Sequence, residues 1–304
     1  MKLFDLHCDT LLECLTKGKS LFQNDLQLSV ERGLSYFPWV QCFAVFIPDN
    51  KRGESASRLF DDAADLLERE ASLHPEIVLV KDGKQIDHLS PGQCGAILTV
   101  ESGAAMRGSL EQLRHLHQRG VRMITLTWNG ANELGGGVRA PGTLTAFGRE
   151  AVREMERLSI AIDISHASER LFYAVAEQTS GPLVASHSDS RTICSHPRNL
   201  TDEQFCLIRD RGGLVGLNFC PDFLRNDGNA GIEDLYRHAE HFLSLGGEDI
   251  LAMGSDFDGA PLPNGISGVQ SMEEVAAFFS RQGCSEELIH KIFFENACQF
   301  FRKL

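Results

Sequence analysis

Short apolar runs alternate with amphipathic helical patterns along the whole chain. The apolar runs are nearly continuous, which is typical of strands in a parallel sheet that is buried on both faces. Between them, apolar residues recur close to every 3.6 positions, as in residues 57–70 with Leu59, Ala63 and Leu66 on one face. Strands that alternate with helices in this way predict βαβ units and a parallel sheet.

The boundaries of these patterns define the predicted elements. The predicted strands are residues 3–7, 41–47, 95–101, 122–128, 161–166, 182–188, 213–219 and 250–257. The predicted helices are residues 57–70, 110–119, 147–158, 169–178, 203–211, 232–245 and 286–301. Thr201 and Gln204 have the spacing of a capping box, which predicts the start of the fifth helix.

Eight strands alternating with helices in 304 residues predict an α/β fold, a closed (β/α)8 TIM barrel. We expect one domain, residues 1–304, with a C-terminal helical extension. A doubly wound open sheet is the alternative, but its usual G-x-G-x-x-G fingerprint after the first strand is absent.

Composition and charge narrow the function classes. Hydrophobic residues make up 42% and charged residues 23% of the chain, which is typical of a globular protein. The formal net charge of −13 disfavours binding to nucleic acid or to anionic lipid, because both partners are themselves negative. We therefore expect neither nucleic acid nor a membrane as a partner.

Cysteine usage and the N-terminus bear on the compartment. The nine cysteines are odd in number, widely spaced and without a C-x-x-C pair, which is typical of free thiols in a reducing environment. The first residues, MKLFDLHCDTLLECL, are interrupted by acidic residues and make a poor signal peptide. No apolar stretch approaches the ~20 residues of a transmembrane helix. The sequence predicts a cytoplasmic protein.

Side chains that can bind a metal follow the predicted strands closely. In a (β/α)8 barrel the C-terminal strand ends all face one mouth, where catalysis occurs, so residues distant in sequence would meet there. The residues concerned are His7 and Asp9 at the first strand, Glu101 at the third, His166 at the fifth, His187 at the sixth and Asp256 at the eighth.

These residue types favour a binuclear metal site. His7 and Asp9 would share one face of an extended strand and chelate one metal, although a plain His–Asp hydrogen bond is the alternative. His166 and His187 would project from adjacent strands towards a second metal. The two oxygens of Glu101 could each bind a different ion and so bridge them. Ligation by nitrogen and oxygen predicts two Zn²⁺, with manganese, cobalt or iron as alternatives.

Such a site predicts hydrolysis of an amide or ester. Two cations acting on one water would give a metal-bridging hydroxide near neutral pH. Asp256, in GSDFDG, would take the proton from this water and return it to the leaving amine. Glu101 and Asp256 are therefore the predicted catalytic residues. Asp258 is a second candidate for the proton transfer, and capping of the Gly-rich turn is the structural alternative for Asp256.

Seven segments together resemble the membrane (renal) dipeptidases, metallopeptidase family M19, in the wider amidohydrolase group. They occur in the family's order between residues 5 and 259: DLHCDT, LTVESG, TLTWNGAN, DISHAS, SHSDSRTICSHPRN, VGLNF and GSDFDG. The resemblance implies a barrel of the metallo-dependent hydrolase type with two zinc ions, held by His7, Asp9, the bridging Glu101, His166 and His187. It also implies proton transfer by Asp256.

The resemblance further implies a short dipeptide with a free C-terminal carboxylate as substrate. Arg198 matches the arginine that holds this carboxylate, a role that suits a guanidinium because it can bind a carboxylate bidentately. Solvation at the surface is the alternative for Arg198. The family often forms dimers, so we expect a homodimer.

Two positions depart from the family pattern. Trp128 stands where the family commonly has a histidine that contacts the scissile carbonyl, so that contact could pass to the metals, to Asn129 or to Asn132. Phe223 stands where the family often has a tyrosine near the substrate. We predict that Arg198, Trp128, Asn129 and Phe223 line the substrate site. The alternative function is that of a related amidohydrolase acting on a non-dipeptide amide or a lactone.

Overall fold

The computed structural model describes residues 1–304 and contains one nine-stranded parallel sheet. The strands, all short, are β1 (Leu3–Cys8), β2 (Trp39–Phe46), β3 (Ile77–Leu79), β4 (Cys94–Glu101), β5 (Met123–Thr125), β6 (Ala161–Asp163), β7 (Leu183–Ala185), β8 (Leu214–Leu217) and β9 (Leu251–Met253).

Eight of the strands close into a barrel. The sheet order is β2-β1-β9-β8-β7-β6-β5-β4, and β2 also pairs with β4 along its whole length, which joins the two ends. With helices following the strands, this is the predicted (β/α)8 TIM barrel.

The ninth strand, β3, was not predicted. It pairs with residues 94–96 of β4, on the edge where β5 pairs with residues 99–101. The two short strands therefore share one edge of the longer β4. The apolar run of β3 is brief and directly follows a turn at Pro75–Glu76, so its strand pattern is weak.

Six of the seven predicted helices begin and end within three residues of their predicted bounds. Twelve helices surround the barrel. They are α1 (Thr10–Lys17), α2 (Val30–Gly33), α3 (Glu54–Leu73), α4 (Leu110–Gln118), α5 (Ala146–Arg157), α6 (Glu169–Gln178), α7 (Asp202–Asp210), α8 (Pro221–Leu224), α9 (Ile232–Ser244), α10 (Met272–Arg281), α11 (Glu286–His290) and α12 (Asn296–Phe301). Short 3-10 helices cover Gly83–His88, Gly103–Met106 and Val269–Ser271.

The structure confirms one predicted helix start, interrupts one predicted helix and adds helices that were not predicted. The predicted capping box at Thr201 and Gln204 is present at the start of α7. The predicted helix 286–301 is interrupted by a π-helical turn, Lys291–Glu295, between α11 and α12. Helices α1, α2, α8 and α10 were not predicted. None of the helices combines the length and the apolar character needed to cross a lipid bilayer.

The N-terminal end of the barrel is plugged by apolar side chains. Phe4 of β1 lies at the centre of this plug, with its ring 5.2 Å from that of Phe301 and 6.4 Å from that of Phe294. These residues belong to a buried cluster of 18 that joins the barrel interior to the C-terminal helices. Because one end is closed in this way, the barrel is accessible from the C-terminal strand ends.

Candidate metal centre and active site

The ligand-capable residues named from the sequence lie together at the C-terminal end of the barrel. His7 is within β1, and Glu101 is the last residue of β4. His166, His187 and Asp256 lie two or three residues beyond β6, β7 and β9, in the loops that leave the barrel. All are buried, with at most 9% of the residue surface exposed. The barrel thus brings residues from five strands into one cluster.

Glu101 lies between the two groups of histidines. Its Oε2 is 3.5 Å from His7 Nε2, and its Oε1 is 2.9 Å from His166 Nε2 and 3.8 Å from His187 Nε2. Each carboxylate oxygen therefore faces a different group. This is the arrangement that a bridging carboxylate requires.

The remaining carboxylates gather around His7. Its Nε2 is 3.6 Å from Asp9 Oδ2 and 3.7 Å from Asp256 Oδ1. On the other side, the Nε2 atoms of His166 and His187 are 2.9 Å apart. The side chain of Cys8 points away from this cluster and donates to the carbonyl of Cys42, as the alternation of an extended strand predicts.

Hydrogen bonds set the tautomers of two histidines. The Oδ1 of Asn129 lies 3.0 Å from Nδ1 of His166 and accepts its proton. Ser186 Oγ donates to Asp163 Oδ2 at 2.6 Å, so its oxygen accepts from Nδ1 of His187 at 2.8 Å. With Nδ1 protonated in both rings, both Nε2 atoms present lone pairs to the cluster, which is the form that binds a metal.

Burial and neighbouring charges shift the pKa values of the cluster. Burial lowers the pKa of His166 to about 4, with a further contribution from Arg198, and it lowers the pKa of His187 well below the usual range. Burial also opposes a charge on Glu101, but the close approach of the His166 and His7 rings to its two oxygens outweighs burial and lowers the pKa of Glu101. Neutral imidazoles around an ionised carboxylate favour a bound cation.

The carboxylates around His7 repel one another. Burial, reinforced by Glu101, raises the pKa of Asp9 to about 7. Burial likewise raises the pKa of Asp256 to about 6. Burial disfavours charge on His7 as well, yet the carboxylates of Asp9 and Glu101 close to its Nε2 raise its pKa well above the usual range. The excess of buried carboxylates over buried cations would be relieved by a divalent ion.

Three observations indicate that these residues fit metal ions. His7 Nε2 and Asp9 Oδ1 are buried without a hydrogen-bond partner. The ligand atoms of His7, Glu101 and His187 lie within 4.8 Å of one another, as do those of His7, Asp9 and Asp256. A Cβ atom added to Gly259 would collide with the carboxylates of Asp9 and Asp256, so glycine there leaves room for a group between them.

Two residues of the cluster have unusual backbone conformations. His166 has φ 66° and Asp256 has φ 62°, in the left-handed region that non-glycine residues seldom adopt. Residues in such conformations cost of order 1 kcal/mol or more and persist where the surrounding structure holds them. The turns after β6 and β9 are therefore shaped to direct these two side chains into the barrel mouth.

A cavity of about 440 Å³ opens above the cluster and receives the remaining predicted site residues. The guanidinium of Arg198 is buried and donates to Ser188 Oγ at 3.3 Å and to the carbonyl of His187 at 3.0 Å. The ring of Phe223 lies 5.3 Å from it, and Arg198 Nε has no partner. Arg198 is thus a buried part of the cavity wall and not a solvated surface residue.

Trp128 and Asn129 also line the cavity. The indole of Trp128 packs edge-to-face on Phe46, with ring centroids 4.8 Å apart, and lies 6.3 Å from the His166 ring. Asn132, by contrast, is used within its own loop. Its amide donates to the carbonyl of Leu126 at 2.8 Å, and its oxygen accepts from Leu134 N at 2.9 Å.

Asp258 has structural bonds as well. Its carboxylate accepts from Thr10 Oγ1 at 2.6 Å and from the backbone N–H of Gln27 at 2.7 Å. It lines the outer cavity but ties α1 and the following loop to the turn after β9. Asp256, whose Oδ1 faces His7, is closer to the cluster.

Several supporting residues were not singled out from the sequence. Asn218 Nδ2 donates to Asp256 Oδ2 at 3.1 Å and orients that carboxylate. Asp163 is fully buried and accepts from Thr125, Ser165 and Ser186. These residues occur within or beside the recognised segments, but their contacts depend on which strands are neighbours.

Comparisons with known proteins identify the family of this chain. The sequence profile described as membrane dipeptidase (peptidase family M19) matches residues 1–304. An uncharacterized dipeptidase of Schizosaccharomyces pombe is 33% identical over 223 residues, covering 70% of this chain and 53% of the relative. Dipeptidase 3 of Mus musculus is 26% identical over 306 residues, covering 94% of this chain and 62% of the relative. The chain therefore spans less than two thirds of the length of these two curated relatives.

A solved structure is similar over almost the whole chain. It is a metallopeptidase from Rhodobacter sphaeroides liganded with a phosphinate mimic of the dipeptide L-Ala-D-Ala. The TM-score is 0.93 and the identity 29%, with 99% of this chain and 98% of that chain covered. On the match of the family profile from end to end, this chain belongs to the membrane dipeptidase family, peptidase family M19.

Proposed function

We propose that this protein is a metal-dependent dipeptidase that hydrolyses dipeptides with a free C-terminal carboxylate. The observation that carries the proposal is the position of Glu101, whose two oxygens face His7 on one side and His166 with His187 on the other. A carboxylate in this position can bridge two cations. The family and the dipeptide mimic bound to the Rhodobacter sphaeroides relative support this class of substrate.

In this proposal each group of ligands holds one divalent cation. His7 and Asp9 with one oxygen of Glu101 would hold the first, and His166 and His187 with the other oxygen would hold the second. Zinc is the expected metal for these nitrogen and oxygen donors, with manganese, cobalt or iron as alternatives. When bound, the cations would act as Lewis acids and lower the pKa of water to near neutrality.

Asp256 is assigned the proton transfers. Asn218 holds its Oδ2, which leaves Oδ1 turned towards His7 and the cluster. A carboxylate fixed in this way can accept a proton from the attacking water and deliver it to the leaving amine. Its neighbour Asp258 is occupied by Thr10 and Gln27, and we assign it no proton transfer.

The cavity wall would orient the substrate. Arg198 is assigned the C-terminal carboxylate, because its buried guanidinium has an unpartnered Nε. The ring of Phe223 packs against this guanidinium and keeps it in the cavity wall. Asn129 is assigned the scissile carbonyl. Its Oδ1 is used by His166, which leaves its amide N–H groups as donors, whereas the amide of Asn132 is already bonded. Trp128 would form the apolar floor beside them.

Substitution of Arg198 tests the assigned substrate. We expect Arg198→Ala to raise KM for Ala–Ala about 100-fold, since a charge-assisted hydrogen bond contributes up to about 3 kcal/mol. KM for Ala–Ala amide, which lacks the carboxylate, should change little. Equal effects on both would contradict the carboxylate role. A panel of dipeptides and lactones would be assayed in parallel. Hydrolysis of the lactones but of none of the dipeptides would favour the alternative amidohydrolase function.

Metal content tests the binuclear site. The protein would be stripped with a chelator and titrated with zinc, manganese, cobalt or iron, while bound metal is measured by mass spectrometry. We expect two equivalents per chain and recovery of activity with the native metal. Glu101→Gln should reduce the bound metal. A stoichiometry of one in the active protein would contradict the bridging role.

We further propose that residues 1–304 form one domain and that the protein is a cytoplasmic homodimer. The dimer is expected from the family resemblance and the compartment from the cysteine usage. Sedimentation equilibrium would measure the mass in solution, where 33.6 kDa is the mass of one chain. Fractionation of expressing cells would test the compartment.

A further inference from the structure

Arg139 is a cation in the cavity wall for which the proposed function has no use. It lines the cavity together with Arg198 and His196. Arg198 is buried and bonded to Ser188 and His187, whereas Arg139 is exposed and makes neither an ion pair nor a side-chain hydrogen bond. An unpaired guanidinium at the edge of a binding cavity is available to a ligand.

The backbone that carries Arg139 is bonded to the segments that carry Asn129 and the candidate metal ligand His166. Its N–H donates to the carbonyl of Asn129 at 2.8 Å, and the N–H of Val138 donates to the carbonyl of His166 at 3.0 Å. A Cβ atom on Gly137 would collide with the backbone of Trp128 and Asn129, so the segment packs closely against them. The Cα atom of Arg139 therefore has a fixed position relative to the site.

His196 adds a neutral donor beside Arg198. Its Nδ1 accepts the backbone N–H of Arg198 at 3.2 Å, so the neutral ring carries its proton on Nε2. The ring packs on Phe223, with centroids 4.6 Å apart, and Phe223 also covers the Arg198 guanidinium. Burial and the nearby Arg198 lower the pKa of His196, which favours this neutral donor form.

Side-chain hydrogen bonds also fix the backbone of Phe223 and Leu224 in this part of the wall. Asn199 Nδ2 donates to the carbonyl of Phe223 at 2.7 Å, and His238 Nε2 donates to the carbonyl of Leu224 at 2.9 Å. The acidic side chains of the outer cavity are Glu13, which pairs with Lys17, Asp258, which accepts from Thr10 and Gln27, and Asp222 beside His196. Of these three, only Asp222 lies beside His196, and it provides one negative charge against the two guanidinium groups of Arg139 and Arg198.

We propose that Arg139 and His196 form a second anion subsite, which binds an acidic side chain on the C-terminal residue of the dipeptide. This subsite rests on the proposed function, because Arg198 is taken to hold the main-chain carboxylate. The substrate class is then a dipeptide ending in aspartate or glutamate. Arg139 would bind the side-chain carboxylate bidentately, and His196 would donate one hydrogen bond to it.

Matched substrates test the subsite. We would measure kcat/KM for Ala–Asp and Ala–Asn, which differ in charge but hardly in shape, and for Ala–Glu and Ala–Gln, each with L and D second residues. For the wild type we expect about a tenfold preference for the acidic member of a pair, as for one hydrogen bond to a charged group. In Arg139→Gln the preference should fall to about one, and Arg139→Glu should favour Ala–Lys.

The control is Arg149→Gln, which removes another exposed, unpaired arginine outside the cavity. It should leave the preference as in the wild type. A wild type that cleaves Ala–Asp and Ala–Asn equally well would overturn the subsite alone. A preference that persists in Arg139→Gln would also overturn it. Failure to cleave any dipeptide in the panel would overturn the proposed function and the subsite together.

Discussion

The hydroxyl of Ser186 lies 2.8 Å from Nδ1 of His187 and donates its own hydrogen to the buried carboxylate of Asp163. This chain of bonds orients the imidazole and leaves Nε2 free to face Glu101. Groups that orient a metal-binding histidine in this way are commonly worth 10–100-fold in metal affinity.

We therefore expect Ser186→Ala to weaken metal binding about 10–100-fold while the barrel remains folded. Competition with a chromophoric chelator would give the affinity, and circular dichroism would report the fold. Ser72→Ala is the matched control, since Ser72 is exposed at the end of α3. Metal affinities that are equal in the two variants would contradict the orienting role.

Gly259→Ala should abolish activity. The added methyl group would collide with the carboxylates of Asp9 and Asp256, and both of those are packed in a buried cluster that cannot easily give way. We expect loss of bound metal together with loss of activity. Gly265→Ala is a comparison in the same loop region, because nothing lies within 4 Å of its added Cβ.

A Gly259→Ala variant that binds metal like the wild type would show that the space beside Gly259 is not needed for the metals. Gly265, unlike Gly259, has a positive φ of 88°, which strains an alanine there, so thermal stability should be measured for both variants. The expected pattern is a modest loss of stability in Gly265→Ala without the loss of metal.

Asn218→Ala should reduce kcat more than it raises KM. Asn218 Nδ2 donates to Asp256 Oδ2 at 3.1 Å, so the substitution frees a carboxylate that is assigned the proton transfers. The loss of one hydrogen bond to a charged group suggests about a tenfold lower kcat. Steady-state kinetics on one dipeptide would measure both constants. A pure KM effect would instead indicate that Asn218 contacts the substrate.

His238 should make stability depend on pH. It is buried, its Nδ1 accepts from Ser190 N–H at 3.0 Å, and its Nε2 donates to the carbonyl of Leu224. Burial lowers the pKa of His238 to about 4, which is below the value of about 6.5 for an exposed histidine. Between these pH values the unfolded chain binds a proton that the folded chain does not.

The free energy of unfolding should therefore fall as the pH decreases from 6.5 to 4, by at most about 3 kcal/mol from this residue. In His238→Asn, which keeps an acceptor for Ser190 N–H but cannot titrate, the decrease over this range should be smaller. Urea unfolding at several pH values would measure it. Parallel pH profiles for the two proteins would argue against a neutral, buried His238.

The sequence by itself determined the fold class and the set of candidate metal ligands. Buried parallel strands have continuous apolar runs, and surface helices have a period of 3.6, so both are visible in a short window of residues. Because parallel strands in a barrel all end at the same mouth, the polar residues after those strands, from His7 to Asp256, could be expected to meet without knowledge of any distance.

Local patterns could not determine the short elements. The apolar run around β3 is confined to residues 77–80, and α1 spans little more than two turns, so neither contains enough repeats for its period to be recognised. β3 depends on its pairing with β4, which is a contact between separate parts of the chain. A pattern of neighbouring residues carries no information about such contacts.

Only the tertiary structure decided how the side chains of the site are used. Asn129 and Asn132 are three positions apart and chemically identical, yet one bonds His166 and the other bonds its own loop. Arg139 looks like any surface arginine in the sequence, but it lies at the cavity without a partner. The physical reason is that hydrogen bonds and ion pairs depend on distances of a few ångströms between distant segments, which only the packed chain defines.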